Sequence, residues 1–389
     1  MPSRDVGASR SSNEQRRKAV NEHYVDDPHD LHRAVQSWRE CRVIGLDTEF
    51  IRTRTFYPIP ALYQVATPDA TYLVDPLPID QWDDFADLLR DPNATIVMHA
   101  CSEDLEVFAR HLQIQPAGLF DTQVAEGFLG PDFSLSYAAL VERYGGTTLA
   151  KQATRSDWLA RPLSQGQLHY AREDVEHLLM LHESLVAGLR ETGRLEWFEE
   201  ENQRRTRANG VAPDQYYRSL KKAWRFSPRQ LARLQGICSW REQRARTRDL
   251  PRQRVVRDEH LLDLAVEPRS DKEAVFGALP EPIAKRFSRD LARVLEAADA
   301  LPETDLPPPL ERPLNQRESE LVKRLRAIAR ERAEQLGFAA ELLSRRRDVE
   351  ACLRYFIEHR QLHEVFRSWR YPLVGARFEE LLETEVGSR

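Results

Sequence analysis

Apolar positions in the first half of the chain fall into short runs. Val43-Ile44-Gly45-Leu46, Pro60 to Ala66, Tyr72-Leu73-Val74 and Thr95 to His99 read as strands, each brief and apolar, and several rich in β-branched or aromatic residues. Between and after them the spacing changes to three and four. Leu31, Ala34, Val35 and Trp38 put one apolar stripe on a helix over Asp30 to Glu40. Similar stripes predict helices over Trp82 to Leu89, Ser102 to His111, Val124 to Phe128, Leu135 to Tyr144 and Ser164 to Leu189. Strands alternating with helices predict an α/β layer structure around a mixed sheet over 23–208, preceded by a disordered Ser/Arg/Asn-rich tail over 1–22. Beyond Arg207-Ala-Asn-Gly210 the pattern is helical throughout. Ser227-Pro228 is a start signal, since serine caps and proline suits the first turn. Leu301 to Pro313 carries five prolines, which forbid a continuous helix and favour a stiff extended linker over 299–315. All-α blocks are therefore expected over 211–298 and 316–385. Each opens on a long amphipathic helix (Leu231, Leu234, Ile237 and Trp240 against Leu321, Leu325 and Ile328), and the two can be read as divergent copies of one unit.

Composition narrows the class. At about 150 residues per domain, 389 residues suggest two to three domains. Hydrophobic residues make up 41% and charged residues 31%, and no uncharged apolar stretch approaches the length of about 18 needed to span a bilayer. The first residues lack the apolar core of a secretory signal, so a cytoplasmic location without membrane attachment is expected. Cys41, Cys101, Cys238 and Cys352 lie far apart with no C-x-x-C, which suggests neither a disulfide framework nor a thiolate zinc site. Phosphate-loop, zinc-protease and nucleophile-elbow motifs do not occur. His177 and His182, five apart on one expected helix, read as packing or surface residues. The net charge of −5 hides an asymmetry: Arg204 to Arg257 holds sixteen Lys/Arg against three acids, +13, and the remainder is −18. Such a segment suits a polyanion, although a solvated helix surface would look the same.

Three local patterns carry chemistry. In Leu46-Asp47-Thr48-Glu49-Phe50, Asp47 and Glu49 lie two apart on a strand and share one face. Adjacent carboxylates repel unless a cation lies between them, and oxygen-rich sites suit magnesium or manganese; taken alone the pair is a weak signal, and an exposed strand end is the plainer reading. Asp104 falls in the first turn of a helix after a short strand, where simple capping by Ser102 or Asp104 is the plain alternative. Tyr170 and Asp174, four apart on a helix, stack on one face, so a water held at Asp174 would lie within reach of the phenol; a packed tyrosine beside a solvated aspartate is the alternative. Together, four carboxylates can hold two divalent ions, the arrangement that cleaves phosphodiesters. With the basic segment, the residues point to a nuclease.

In order and approximate spacing, Asp47-x-Glu49, Asp104 and Tyr170-x-x-x-Asp174 resemble the motifs of the DEDDy 3′→5′ exonucleases. The surrounding words Leu46 to Pro58, His99 to Phe108, Phe120-Asp-Thr-Gln123 and Ser156 to Pro162 resemble the bacterial ribonuclease D family. Ala223 to Leu231 and Trp240 to Arg252 are similar to the first HRDC domain of that family, and the last block would be its second. The resemblance implies an RNase H-like fold and two divalent metal ions (Mg2+ or Mn2+). Asp47, Glu49 and Asp174 would hold one ion, and Asp47 and Asp104 the other, with Tyr170 orienting the attacking water. It further implies a monomeric 3′→5′ exoribonuclease releasing nucleoside 5′-monophosphates, with RNA as partner, tRNA precursors and other structured RNAs with 3′ tails among them. A non-catalytic nucleic-acid-binding adaptor on a nuclease fold and an exonuclease acting mainly on DNA are the alternatives.

Overall fold

The computed structural model describes residues 21–149, 156–207 and 210–386. These form two units: the chain up to Phe50 with Pro60–Thr206, and Ile51–Ile59 with the chain from Arg207 onward. The tail expected over 1–22 lies outside the described residues up to residue 20, and Asn21 and Glu22 open a strand.

The strands of the first unit are β1 (Asn21–Val25), β2 (Val43–Ile51), β3 (Ile59–Ala66), β4 (Ala70–Val74), β5 (Thr95–Met98) and β6 (Leu119–Asp121). They make one sheet ordered β1-β4-β3-β2-β5-β6. The sheet is mixed, as expected: β2 with β5, β5 with β6 and β1 with β4 are parallel, and β3 with β4 is antiparallel. Neither β1 nor β6 is legible as an apolar run. Four of the five β1 residues are exposed, and β6 has three residues. The β6 edge is closed by the Asn202 amide, which accepts from the Asp121 N–H (3.2 Å) and donates to the Leu119 carbonyl (2.7 Å) as a further strand would.

Ile44 and Leu46 of β2 are buried in the core beneath α1 (Pro28–Arg39) and α2 (Asp83–Arg90), with Trp38 and Phe85. Because side chains alternate, Gly45, Asp47 and Glu49 face the other side of the sheet. That side is close-packed at Gly45, where a Cβ would lie 3.0 Å from the Leu178 Cβ and 3.3 Å from the Ala66 Cβ. The remaining helices are α3 (Asp104–Val107), which runs on into one π turn (Phe108–Leu112), α4 (Thr122–Gly127), α5 (Tyr137–Gly145), α6 (Gln165–Glu176), α7 (Leu178–Glu191) and α8 (Leu195–Thr206). The single helix expected over Ser164 to Leu189 is thus two, and His177 sits at their junction rather than on one helix with His182.

In the second unit α9 (Pro228–Arg248) begins at the predicted Ser227 cap, with a capping box to Gln230, and ends on Asp249 in the left-handed conformation (φ 48°). The third block opens alike. Its α14 (Gln316–Leu336) is also 21 residues long, starts with a capping box from Asn315 to Glu318 and ends on left-handed Gly337 (φ 67°). Between them stand α10 (Arg252–Val255), α11 (Asp258–Val266), α12 (Lys272–Gly277) and α13 (Glu281–Asp299). The proline-rich linker makes a 3-10 turn at Glu303–Asp305, and Leu310 packs against the core of the preceding helices, so the linker is anchored to them. Phe56 is buried in that same core, and the Phe56 and Tyr57 N–H groups donate to the Asp249 carboxylate at 2.9 and 3.0 Å.

The arginines of the basic segment are largely paired within the fold, against the expectation of an open basic face. Arg233 is bidentate to Asp299, Arg241 is 1% exposed and meets Asp258, Arg252 meets Glu242, and Arg229 donates to three carbonyls closing α13. Phe226 and Trp240 pack against the core.

Candidate active site

Asp47 and Glu49 leave β2 on the face opposite the main core, with Thr48 between them pointing the other way. The Thr48 hydroxyl donates to the Asp104 carboxylate, tying the strand to the first residue of α3. The approach to α3 is also fixed. Ala100 is left-handed (φ 55°), and the Ala100 and Cys101 N–H groups donate to Asp121 at 3.0 and 3.2 Å. Asp121 in turn caps α4 through the Gln123 N–H at 2.9 Å. One carboxylate in the Phe120-Asp-Thr-Gln123 word therefore positions the loop that delivers Asp104.

Tyr170 and Asp174 lie on α6, which starts with a capping box between Ser164 and Gln167. Their side chains share one helix face, where each shifts the proton affinity of the other, as the i, i+4 spacing predicts. The helix breaks just beyond Asp174 because the Tyr137 hydroxyl donates to the Glu173 carbonyl (3.0 Å) and accepts from the His177 N–H (3.1 Å). The Trp158 ring stands 6.0 Å from that of Tyr170. Its segment is held by Arg161, which is bidentate to Asp75 (2.5 and 2.7 Å) and donates to the Ala61 carbonyl at 2.7 Å.

The five residues converge electrostatically. Burial, then the charges of Asp104, Asp174 and Glu49, pushes the Asp47 carboxyl well above the usual range. Burial, then Asp174 and Asp104, pushes Glu49 up to about 8. Asp174 rises to about 7 through burial, against the lowering influence of the neighbouring Tyr170 hydroxyl, and Asp104 to about 6 through burial against the opposing Thr48 bond. The Tyr170 phenol is pushed upward by burial and by Asp174, Glu49 and Asp47, so it remains a hydrogen-bond donor. A set of carboxylates that resists ionising together is an oxygen donor set fitted to hard divalent cations, which favour the charged forms.

A further polar group faces the same side. Ala66 of β3 meets Gly45 of β2, and the short link between these strands makes them antiparallel, so Gln64 falls on the Asp47 face. Its amide is fully buried, and neither its oxygen nor its nitrogen has a partner among the described residues. Thr48, Asp121, Tyr137 and Gln64 are not singled out as site residues by the sequence reading, although Thr48 is the middle residue of D-x-E and Asp121 lies in a family-like word. Among the described residues, the group of three whose ligand atoms lie within 4.8 Å of one another is Asp27, His29 and Asp30, where Asp27 is already engaged as the cap of α1. Among the described residues, the four site carboxylates do not form a group that close. No helix among the described residues is long and apolar enough to cross a membrane.

Residues 23–190 match the 3′-5′ exonuclease family, and residues 230–297 match the HRDC domain. The chain is 38% identical over 373 residues to ribonuclease D of Pseudomonas paraeruginosa, covering 93% of this chain and 97% of that protein. Identity to ribonuclease D of Escherichia coli is 36% over 355 residues, covering 89% and 94%. The crystal structure of Escherichia coli RNase D, described as an exoribonuclease involved in structured RNA processing, superposes with a TM-score of 0.86, covering 94% of this chain and 99% of that one.

Proposed function

The chain belongs to the ribonuclease D family, and from that premise we propose that Asp47, Glu49, Asp104 and Asp174 form a site for two divalent cations, magnesium or manganese, at which RNA is hydrolysed. The reaction class is 3′→5′ exoribonucleolysis. What carries the site assignment is the convergence of four mutually repelling carboxylates from three separate elements. Asp47, Glu49 and Asp174 would hold the ion nearer the attacking water, and Asp47 and Asp104 the ion nearer the leaving oxygen. Bound there, the cations would lower the pKa of the water and stabilise the charge that develops on the leaving 3′ oxygen.

The protein's own groups orient the reactants. The Tyr170 hydroxyl, kept protonated by burial and the neighbouring carboxylates, would fix the attacking water by a hydrogen bond. Thr48 holds Asp104, and Tyr137 holds the end of α6, so neither carboxylate must be ordered during the reaction. Each cycle would release a nucleoside 5′-monophosphate and leave a 3′-hydroxyl for the next. Structured RNAs with single-stranded 3′ tails, tRNA precursors among them, are the proposed substrates.

The test is turnover on one 3′-tailed RNA hairpin and on its DNA counterpart, for the parent chain and for Asp174→Asn. RNA should be shortened one nucleotide at a time, DNA much more slowly, and the variant should do neither. Wild-type turnover in the variant at saturating magnesium would overturn the site assignment, and equal rates on DNA would overturn the preference for RNA.

A further inference from the structure

Most arginines of the basic segment face a carboxylate or a carbonyl, while Arg218 and Arg225 stand over Tyr217 and Trp224. A further group lines one cavity. Arg244 and Arg248, one turn apart near the end of α9, meet Arg254 of α10 and Arg286 of α13 around a cavity of about 240 Å3. Arg248, Arg254 and Arg286 are exposed and have no acidic partner among the described residues, while Arg244 reaches Asp290 only at 3.6 Å. The floor is apolar, made by the buried residues Val255 and Phe287. The Arg244 and Arg286 guanidinium groups lie 5.3 and 5.1 Å from the centre of the Phe287 ring, so an aromatic face helps to hold them at the pocket.

Four cations line one small concavity, and like charges around a shared cavity repel one another. A low-dielectric floor and concave walls focus their field outward, so an anion seated there relieves the repulsion and is attracted by all four. Guanidinium forks match the two free oxygens of a phosphodiester, which a point charge does not. Phe287 lies flush in the floor and is not free to stack a base, so the pocket offers charge without sequence readout. We propose that this pocket binds a phosphodiester group of the RNA substrate, and that it is the dedicated backbone anchor of the first helical block. The proposal rests on RNA being the substrate, and adds which of the many basic residues take hold of it.

The experiment uses the full chain in EDTA, so that binding is read without cleavage, with a labelled RNA hairpin carrying a 3′ tail and a series of salt concentrations. Neutralising the anchor (Arg248→Gln, Arg254→Gln and Arg286→Gln together) should weaken binding by about tenfold or more. It should also flatten the slope of log K against log salt by about 0.7 to 0.9 per lost contact. Lysine at the same three positions should keep most of the slope. Turnover of a dinucleotide, which occupies the cleavage site alone, should stay at the parent value in magnesium. A matched variant (Arg218→Gln, Lys221→Gln and Lys222→Gln) removes equal charge from exposed positions outside the pocket. Unchanged affinity and slope in the anchor variant, or a loss no greater than in the matched variant, would overturn the proposal. Failure of the exoribonuclease reading would appear separately, as absence of dinucleotide and hairpin cleavage by the parent chain.

Discussion

Four carboxylates that raise one another's affinity for protons make the site a source of instability in chelator. Asp174 and Glu49 hold protons in the native state up to about 7 and 8, against ordinary values of 3.8 and 4.5. Their folded values lie above the unfolded ones, so stability is lost as pH rises from the ordinary carboxylate range through 7 to 8. Added manganese should therefore raise the melting temperature more at pH about 8 than at pH about 6, where protons compete for the same oxygens. Asp47→Asn removes one of the repelling charges. It should melt higher than the parent in EDTA, lose most of the manganese shift and lose cleavage; a parent-like shift would show that the ions bind elsewhere. Tyr170→Phe keeps the ring beside Trp158 but removes the hydroxyl. A fall in kcat of about tenfold or more with little change in RNA affinity is expected, because orientation acts on the transition state. Asp47, Glu49, Tyr170 and Asp174 stand out in the sequence because their spacing maps onto one strand face and one helix face, and Asp104 because it opens a helix just after a short strand. Gln64 and Thr48 do not, because what singles them out is a missing partner in one case and a partner 56 residues away in the other.

Among the elements, the error over Ser164 to Leu189 has the same origin. The apolar stripe runs through His177 without interruption, and nothing local stops the helix. It stops because a phenol 40 residues upstream takes the His177 N–H. Strands β2 to β5 were legible, since each carries its own apolar run, whereas β1 and β6 exist through the neighbours they pair with. The segment carrying Trp158 has no periodicity at all, and Arg161 tethers it through the Ala61 carbonyl of β3 and through Asp75 just past β4. Burial alone would raise the Asp75 carboxyl, but bonds from Arg161, the Leu77 N–H and the Tyr24 hydroxyl outweigh it and hold it below 3.8. With the folded value depressed, the contribution is complete above the ordinary range and is lost as pH falls through the folded value. Asp75→Asn should therefore lower the melting temperature at neutral pH, and the gap to the parent should shrink on acidification below about 4. A gap independent of pH would mean that Arg161 acts through packing and not through charge.

At the scale of the whole molecule, charge arithmetic located the basic segment but overstated its open surface, because counting cannot tell an arginine that meets Asp299 from one that faces solvent. It also could not show that the chain enters the helical unit at Ile51, two residues past Glu49, to bury Phe56 and to give two N–H groups to Asp249. Asp249 does two jobs there. It ends α9 in the left-handed conformation, which aspartate and asparagine tolerate better than alanine, and it is the acceptor for both amides. Asp249→Ala should cost about 1 to 3 kcal/mol for each N–H left without a partner, on top of the backbone strain. Asp249→Asn keeps one acceptor oxygen and the turn, and should recover most of that loss. Hydrogen exchange reads the effect directly: the Phe56 and Tyr57 amides should exchange much faster in the alanine variant and near the parent rate in the asparagine variant. Because this segment leads straight out of the strand that carries Asp47 and Glu49, kcat on a dinucleotide should fall with the same ranking. If exchange accelerates while kcat does not move, the helical unit braces this segment without bearing on the chemistry, and the two carboxylates are held by β2 and its sheet neighbours alone.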